Sequence, residues 1–177
     1  MFALLVVTTA LIGVIQAVPV ANAGRIPDDD CGTYQSMVNA AGNEICFKIN
    51  PTKLSWNDAE SHCISEGGHL ASIHSKSEND YIRRTVTTLG MLDGIHIGLS
   101  EGGWDNLDMW SDRTPVDYEN WSPGYPDSTH FGGCTLLVTS KNAGWDDSWA
   151  GMWENVFCDN RMEKPSVCMK PPAATTN

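Results

Sequence analysis

The chain is poor in basic residues. Eleven Lys and Arg stand against 22 Asp and Glu in 177 residues, a formal net charge of -11. Polyanion partners need basic patches, so nucleic acid and anionic membrane surfaces are excluded as targets. There is no Cys-x-x-Cys pair and no His-Glu-x-x-His, which removes the common signatures of structural and catalytic zinc. Internal repeats are absent, and only one long apolar run occurs. Gly98-Leu-Ser100-Glu-Gly102 satisfies the Gly-x-Ser-x-Gly pattern of a hydrolase nucleophile elbow. That motif needs a helix straight after the turn, and Gly103-Trp104-Asp105 does not supply one. No other pattern singles out catalytic groups, and the chain reads as a non-enzyme.

The apolar run is residues 1–23, uncharged and ending in Ala21-Asn22-Ala23, which reads as a secretory signal peptide. A membrane anchor is the competing reading, but Gln16, Pro19 and Asn22 interrupt the second half of the run. Six cysteines, an even number in a chain bound for the secretory pathway, read as disulfides. Their spacing leaves the pairing open. The expected organisation is a signal peptide at 1–23, a polar lead-in at 24–30, one domain at 31–170 and a flexible tail at 171–177. The protein is expected to be secreted and extracellular, with no membrane span once the signal is removed.

Cys31 and Cys46 bracket a stretch with turn chemistry at Gly42-Asn43, which predicts a hairpin. Ser55 to Glu66 has the grammar of a helix: Ser55 as N-cap, Trp56, Ala59, Cys63 and Ile64 on one face, and Gly67-Gly68 as the stop. A second helix starts with the Ser75-x-x-Glu78 capping box, buries Tyr81, Ile82, Val86 and Leu89, and ends at Gly90. Ile95, Ile97 and Leu99 alternate with His96 and Gly98, which predicts a half-buried strand. Shorter strands are expected at 134–139, 156–158 and 166–169.

Between these strands the chain is irregular, acidic and rich in tryptophan. Residues 101–159 hold eleven Asp or Glu against Arg113 and Lys141, together with six of the seven tryptophans. Long loops of this kind are functional or disordered, and so many aromatics argue for order. Trp56, Trp110, Trp121 and Trp153 read as core, whereas Trp104, Trp145 and Trp149 lie in open Gly-, Asp- and Ser-rich pieces. Asp105, Asp108, Asp112, Asp146 and Asp147 read as a solvated acidic face, with a structural cation site as the alternative. Asn120-Trp-Ser122 is an N-glycosylation sequon.

Five segments in this order resemble the C-type lectin-like domain: Trp56-Asn-Asp-Ala-Glu-Ser-His-Cys63, Gly68-His-Leu-Ala-Ser-Ile73, Ile97-Gly-Leu99, Pro115-Val-Asp-Tyr-Glu-Asn-Trp121 and Trp153-Glu-Asn-Val-Phe-Cys158. The resemblance covers roughly residues 31–170. It implies an α+β fold with two helices against small antiparallel sheets, a long irregular loop region, and disulfides Cys31–Cys46, Cys63–Cys168 and Cys134–Cys158. It also implies a calcium-dependent sugar site, which this chain matches only partly. At the family's Glu-Pro-Asn or Gln-Pro-Asp motif stands Tyr125-Pro126-Asp127, where the family has a Glu two residues before Cys134 stands Gly132, and at Trp-Asn-Asp stands Trp153-Glu154-Asn155.

The candidate ligand-binding residues are therefore Tyr125, Asp127, Glu154 and Asn155, and the candidate metal ligands, a degenerate set, are Asp127, Glu154 and Asn155. Calcium takes six to eight oxygens and gains affinity from ligand charge. With side-chain ligands missing at 125 and 132, calcium is expected to bind weakly or not at all. The expected function is secreted recognition of a glycan or glycoprotein through the long loop region. The alternative is a calcium-independent module for a protein ligand.

Overall fold

The computed structural model describes residues 31–39, 41–91, 93–101, 108–128, 133–139 and 147–173. The expected signal peptide and lead-in, and Trp104, Asp105, Gly132, Trp145 and Asp146, lie outside these residues.

Strand β1 (Gln35–Val38) turns back into β2 (Glu44–Leu54) through a loop in which Asn39 does most of the capping. The Asn39 carbonyl accepts the Gly42 N–H at 3.0 Å and its side-chain Oδ1 accepts the Asn43 N–H at 2.8 Å. Gly42 has φ 83°, which a Cβ would oppose. The Cys31–Cys46 disulfide closes the hairpin. β2 is longer than its sequence suggests, because Pro51 to Lys53 continue the strand beyond the regular pairing with the last strand, which slips between Asn50 and Leu54.

Helix α1 (Trp56–Ser65) starts where Ser55 Oγ accepts the Asp58 N–H at 3.1 Å, and it buries Trp56, Ala59 and Cys63. Ile64 does not share that face and is 54 % exposed. After the short strand β3 (His69–Leu70), helix α2 (Lys76–Thr88) is capped by Ser75, whose Oγ accepts the Glu78 N–H, while Glu78 reaches back to the His74 N–H at 2.6 Å. Ile82 and Val86 are buried, but Tyr81 and Leu89 are 37 % and 58 % exposed. The buried stripe of α2 is thus narrower than the apolar pattern predicts. Its other inward residues are polar: Glu78, which caps the helix, and Asn79, which is bonded in the loop region.

The remaining strands are β4 (Ile95–Ser100), β5 (Met109–Trp110), β6 (Cys134–Leu137), β7 (Trp153–Val156) and β8 (Lys164–Lys170). All eight join one mixed sheet in the order β1-β2-β8-β4-β6-β7, with β3 on β8 and β5 on β4; β4 and β8 are parallel neighbours and the other pairs antiparallel. β4 lies in mid-sheet and is buried along its length, not half-buried as alternation predicts. One face carries Ile95, Ile97 and Leu99 into the core with Ile82, Val86 and Val167. His96 is buried as well, its Nε2–H donating to the Met162 carbonyl at 3.2 Å.

Disulfides Cys63–Cys168 and Cys134–Cys158 tie α1 to β8 and β6 to the end of β7. Trp56 sends its Nε1–H to the Ile97 carbonyl at 2.7 Å, which locks α1 onto mid-sheet. Gly98 is required by close approach: a Cβ there would meet the Leu70 carbonyl oxygen at 2.6 Å and Ser111 Oγ at 2.8 Å.

Candidate functional site

The site is built on β7, and Trp153 is its foundation. The Trp153 ring is fully buried and meets the rings of Trp110, Tyr118 and Trp121 edge-on at 5.7, 5.6 and 5.9 Å. Edge-to-face pairs contribute about 0.5 to 1.5 kcal/mol each beyond area burial, so this pile holds the irregular segment without regular backbone pairing. Its Nε1–H donates to Asn79 Oδ1 at 2.8 Å, and both Asn79 and Asn120 donate side-chain N–H groups to the Gly151 carbonyl at 2.7 Å. The loop backbone is bonded to β7 on both sides of Trp121, Trp153 N to Asn120 O at 2.8 Å and Ser122 N to Trp153 O at 2.9 Å.

From that anchor the chain runs through Tyr125 and a cis peptide bond to Pro126 and Asp127. The structure brings Tyr125, Asp127, Glu154 and Asn155 together. Asn155 Oδ1 accepts the Asp127 N–H at 2.9 Å, and Asn155 Nδ2 donates to the Asp127 carbonyl at 2.8 Å. Glu154 is 2 % exposed and its Oε1 has no hydrogen-bond partner. Burial pushes its carboxyl up to about 7; the Tyr125 hydroxyl, hydrogen bonding to it, opposes the rise, and the negative charge of Asp127 adds to it. The Tyr125 phenol is raised in turn, first by burial and then by the charges of Glu154 and Asp127. The half-buried Tyr125 ring stands edge-on to Trp149 at 6.4 Å, Trp149 being held in a 3₁₀ turn at Asp147–Trp149.

Glu101, which the sequence reading did not single out, belongs to the same neighbourhood, and so does Asp108, one of the acidic-face candidates. Glu101, just past the end of β4, binds the Gly133 segment: its N–H donates to the Gly133 carbonyl at 2.8 Å and its Oε2 accepts the Gly133 N–H at 3.4 Å. Burial raises the Glu101 carboxyl; the charges of Asp108 and Asp127 add to this, while donation from Gly133 N–H and the Asn155 side chain opposes it. Glu101 Oε1 has no hydrogen-bond partner among the described residues. Asp108 is raised by burial. The only sequence signal for Glu101 was its position directly after the Ile-Gly-Leu-Ser strand. Asp112, one of the acidic-face candidates, has its carboxylate engaged by Ser72 Oγ at 2.6 Å and by the Thr114 hydroxyl at 2.6 Å.

A calcium ion, which takes six to eight oxygens, meets a poor donor set here. Tyr125 brings a phenol in place of a carboxylate, and the amide oxygen of Asn155 is aimed at the Asp127 N–H. Among the described residues no three His, Cys, Asp or Glu side chains converge as a metal-holding group. This arrangement does not fit a calcium ion.

The two capped helices, the mixed sheet, the three disulfides and the loop seated on β7 define a C-type lectin-like domain, and the sequence pattern described as "Lectin C-type domain" matches residues 52–170. The chain belongs to that family. Domains of this family and fold are recognition domains and not enzymes.

The chain is 36 % identical over 102 residues to the type-2 ice-structuring protein of Brachyopsis segaliensis, covering 58 % of each. It is 34 % identical over 116 residues to ladderlectin of Oncorhynchus mykiss, covering 65 % of this chain and 57 % of that protein. The chain thus spans a little over half the length of these relatives. A solved structure of a calcium-independent type II antifreeze protein superposes with a TM-score of 0.60 at 26 % identity, over 79 % of this chain and 98 % of that one.

Proposed function

We propose that this domain recognises carbohydrate or glycoconjugate, without calcium, through the surface made by residues 119–128 and Trp149, seated on the buried strand β7. The observation that carries the reading is the pairing of the Tyr125 and Trp149 rings beside the carboxyl groups of Glu154 and Asp127. A sugar offers an apolar C–H face and a rim of hydroxyls. Amphipathic aromatics suit the first, and the carboxylate of Asp127, the less buried of the two acids, can accept from the second. The leader-like residues 1–23 support secretion, as do the three disulfides, which persist in oxidising compartments. The domain is taken to run from 31 to 170.

A glycan array probed in EDTA tests this. Binding that survives chelator and is lost in Tyr125→Ala is expected; binding that only calcium restores would refute the calcium-free reading. A second reading, a module for a protein ligand, is favoured by Val38, 67 % exposed, and Tyr81, which flank a groove of about 440 Å³ between the edge strand β1 and α2. Ice is what the names of the two antifreeze relatives carry, and thermal hysteresis measured on the same protein reads that third target directly.

A further inference from the structure

In domains where a cation organises a loop, the ion joins backbone and side chains that would otherwise be separate. Here the residues at that place make the connection among themselves. Asn155 projects from β7, paired across the sheet with Thr135. It is 1 % exposed, and both ends of its carboxamide are used on one residue of the loop, the N–H and the carbonyl of Asp127. This two-point contact has the geometry of one rung of a β-ladder, made by a side chain. It reaches across 28 residues of chain to the residue that follows the cis Tyr125–Pro126 unit. The Asn155 side chain also bears on Glu101, lowering its carboxyl, and the backbone and carboxylate of Glu101 hold Gly133 beside the Cys134–Cys158 disulfide. One amide therefore lies at the meeting point of the loop, the end of β4 and the β6–β7 pair.

We propose that the Asn155 carboxamide takes the place of a cation, fastening the 125–127 loop to the sheet so that its order does not depend on metal. Carboxamide chemistry is what makes this work. The group supplies an acceptor and two donors with no charge, among Glu101, Asp127 and Glu154, which are all acidic. A carboxylate of the same shape would keep the acceptor for Asp127 N–H, lose the donor to Asp127 C=O, and add a negative charge to that neighbourhood. Such a cluster holds together when a divalent cation joins it. Asn155 is thus a positioning residue, acting on ligand through the Tyr125 segment. Only that effect on ligand rests on the loop being the recognition surface; the fastening itself is read without any ligand.

The test is amide hydrogen exchange at Asp127, followed with EDTA and with 10 mM calcium chloride, about tenfold above the weakest dissociation constants of extracellular calcium modules. In the unaltered protein the protection of this amide is expected to be the same in both conditions. Asn155→Ala should speed its exchange by about tenfold or more, the worth of a hydrogen bond of roughly 1.4 kcal/mol, while the Ile97 and Val167 amides in mid-sheet stay unchanged. Asn155→Asp, isosteric and least disturbing to folding, should lose protection at Asp127 in EDTA and regain it with calcium. Loss of protection in the unaltered protein on adding EDTA would overturn the proposal, as would full protection of Asp127 in Asn155→Asp under EDTA. No glycan enters these measurements, so failure of the carbohydrate reading would leave them standing.

Discussion

Two buried titrating groups give this domain opposite responses to the same range of pH. Glu154 titrates at about 7 in the folded protein against 4.5 as an ordinary glutamate, and His96 at about 4 against 6.5 for an ordinary histidine. For Glu154, the folded state holds a proton that the unfolded chain gives up above pH 4.5, so folding is progressively disfavoured as pH rises from 4.5 to about 7. For His96, buried away from water, the unfolded chain takes up a proton below pH 6.5 that the folded state refuses until about 4. Folding is therefore disfavoured as pH falls through that window. Each pH unit within a window is worth about 1.4 kcal/mol, so each group contributes about 3 kcal/mol in total, with opposite sign. Over most of pH 4.5 to 6.5 the two contributions offset one another.

Glu154→Gln and His96→Gln separate them. The second keeps a donor for the Met162 carbonyl that His96 Nε2 now serves. Urea unfolding followed by tryptophan fluorescence, in EDTA with disulfides intact, gives stability at each pH from 4 to 7.5. Relative to the unaltered protein, Glu154→Gln should gain about 3 kcal/mol between pH 4.5 and 7, and His96→Gln should gain about 3 kcal/mol as pH falls from 6.5 to 4. The differences isolate each group from Glu101 and Asp108, which burial also raises and which tilt the curve in the direction of Glu154. Curves that run parallel for all three proteins would refute the reasoning.

Gly98→Ala should destabilise by about 2 kcal/mol or more, because its Cβ would press on the Leu70 carbonyl at 2.6 Å and force β3 from β4; thermal unfolding reads this. Cys63→Ser with Cys168→Ser opens a closure of 105 residues, worth about 4 to 5 kcal/mol on chain entropy, and the far- and near-ultraviolet dichroism at 37 °C should collapse together. Asn120 should carry no glycan when the protein is made in secreting eukaryotic cells, read as an intact mass unchanged by amidase treatment. Its Nδ2 is bonded to Gly151 O, and Ser122 is 2 % exposed.

Local chemistry made the helices legible: Ser55 and Ser75 are both found as N-caps. Periodicity alone was a weaker guide. Ile64 and Leu89 fit an apolar stripe yet are exposed, and Tyr81, 37 % exposed, only lays its ring edge-on against the buried Phe47, while Trp56, Ala59 and Cys63 on one helix and Ile82 and Val86 on the other are buried. Alternation misjudged β4 in the converse direction. Its polar-side residue His96 is covered too, because that face is also packed: Met162 reaches the His96 ring and Trp56 of α1 is bonded to the Ile97 carbonyl. Trp110 and Trp153 are fully buried and Trp121 is half-buried against the same core. The grouping of Tyr125, Asp127, Glu154 and Asn155 was legible only through family resemblance, because no local pattern joins residues 28 apart. Glu101 was missed for the same reason: its role depends on Gly133 and Asn155, both distant in sequence.

The way this loop is held explains how a chain of this family departs from the usual ligand residues and keeps its shape. A loop organised by an ion would be exposed to every substitution that removes a carboxylate. Here the fastening lies in neutral groups: Trp153 donating to Asn79, Asn79 and Asn120 meeting on the Gly151 carbonyl, and Asn155 bridging the Asp127 backbone. None of these bonds requires the side chain at 125 to be acidic. Position 125 is thereby released to carry an aromatic ring, and Tyr125 stands against Trp149 where a family member with a charged residue would have a metal ligand. At position 125 the residue that weakens the family's cation set also places a ring against Trp149, on a loop bonded to the sheet through the amides of Asn120 and Asn155.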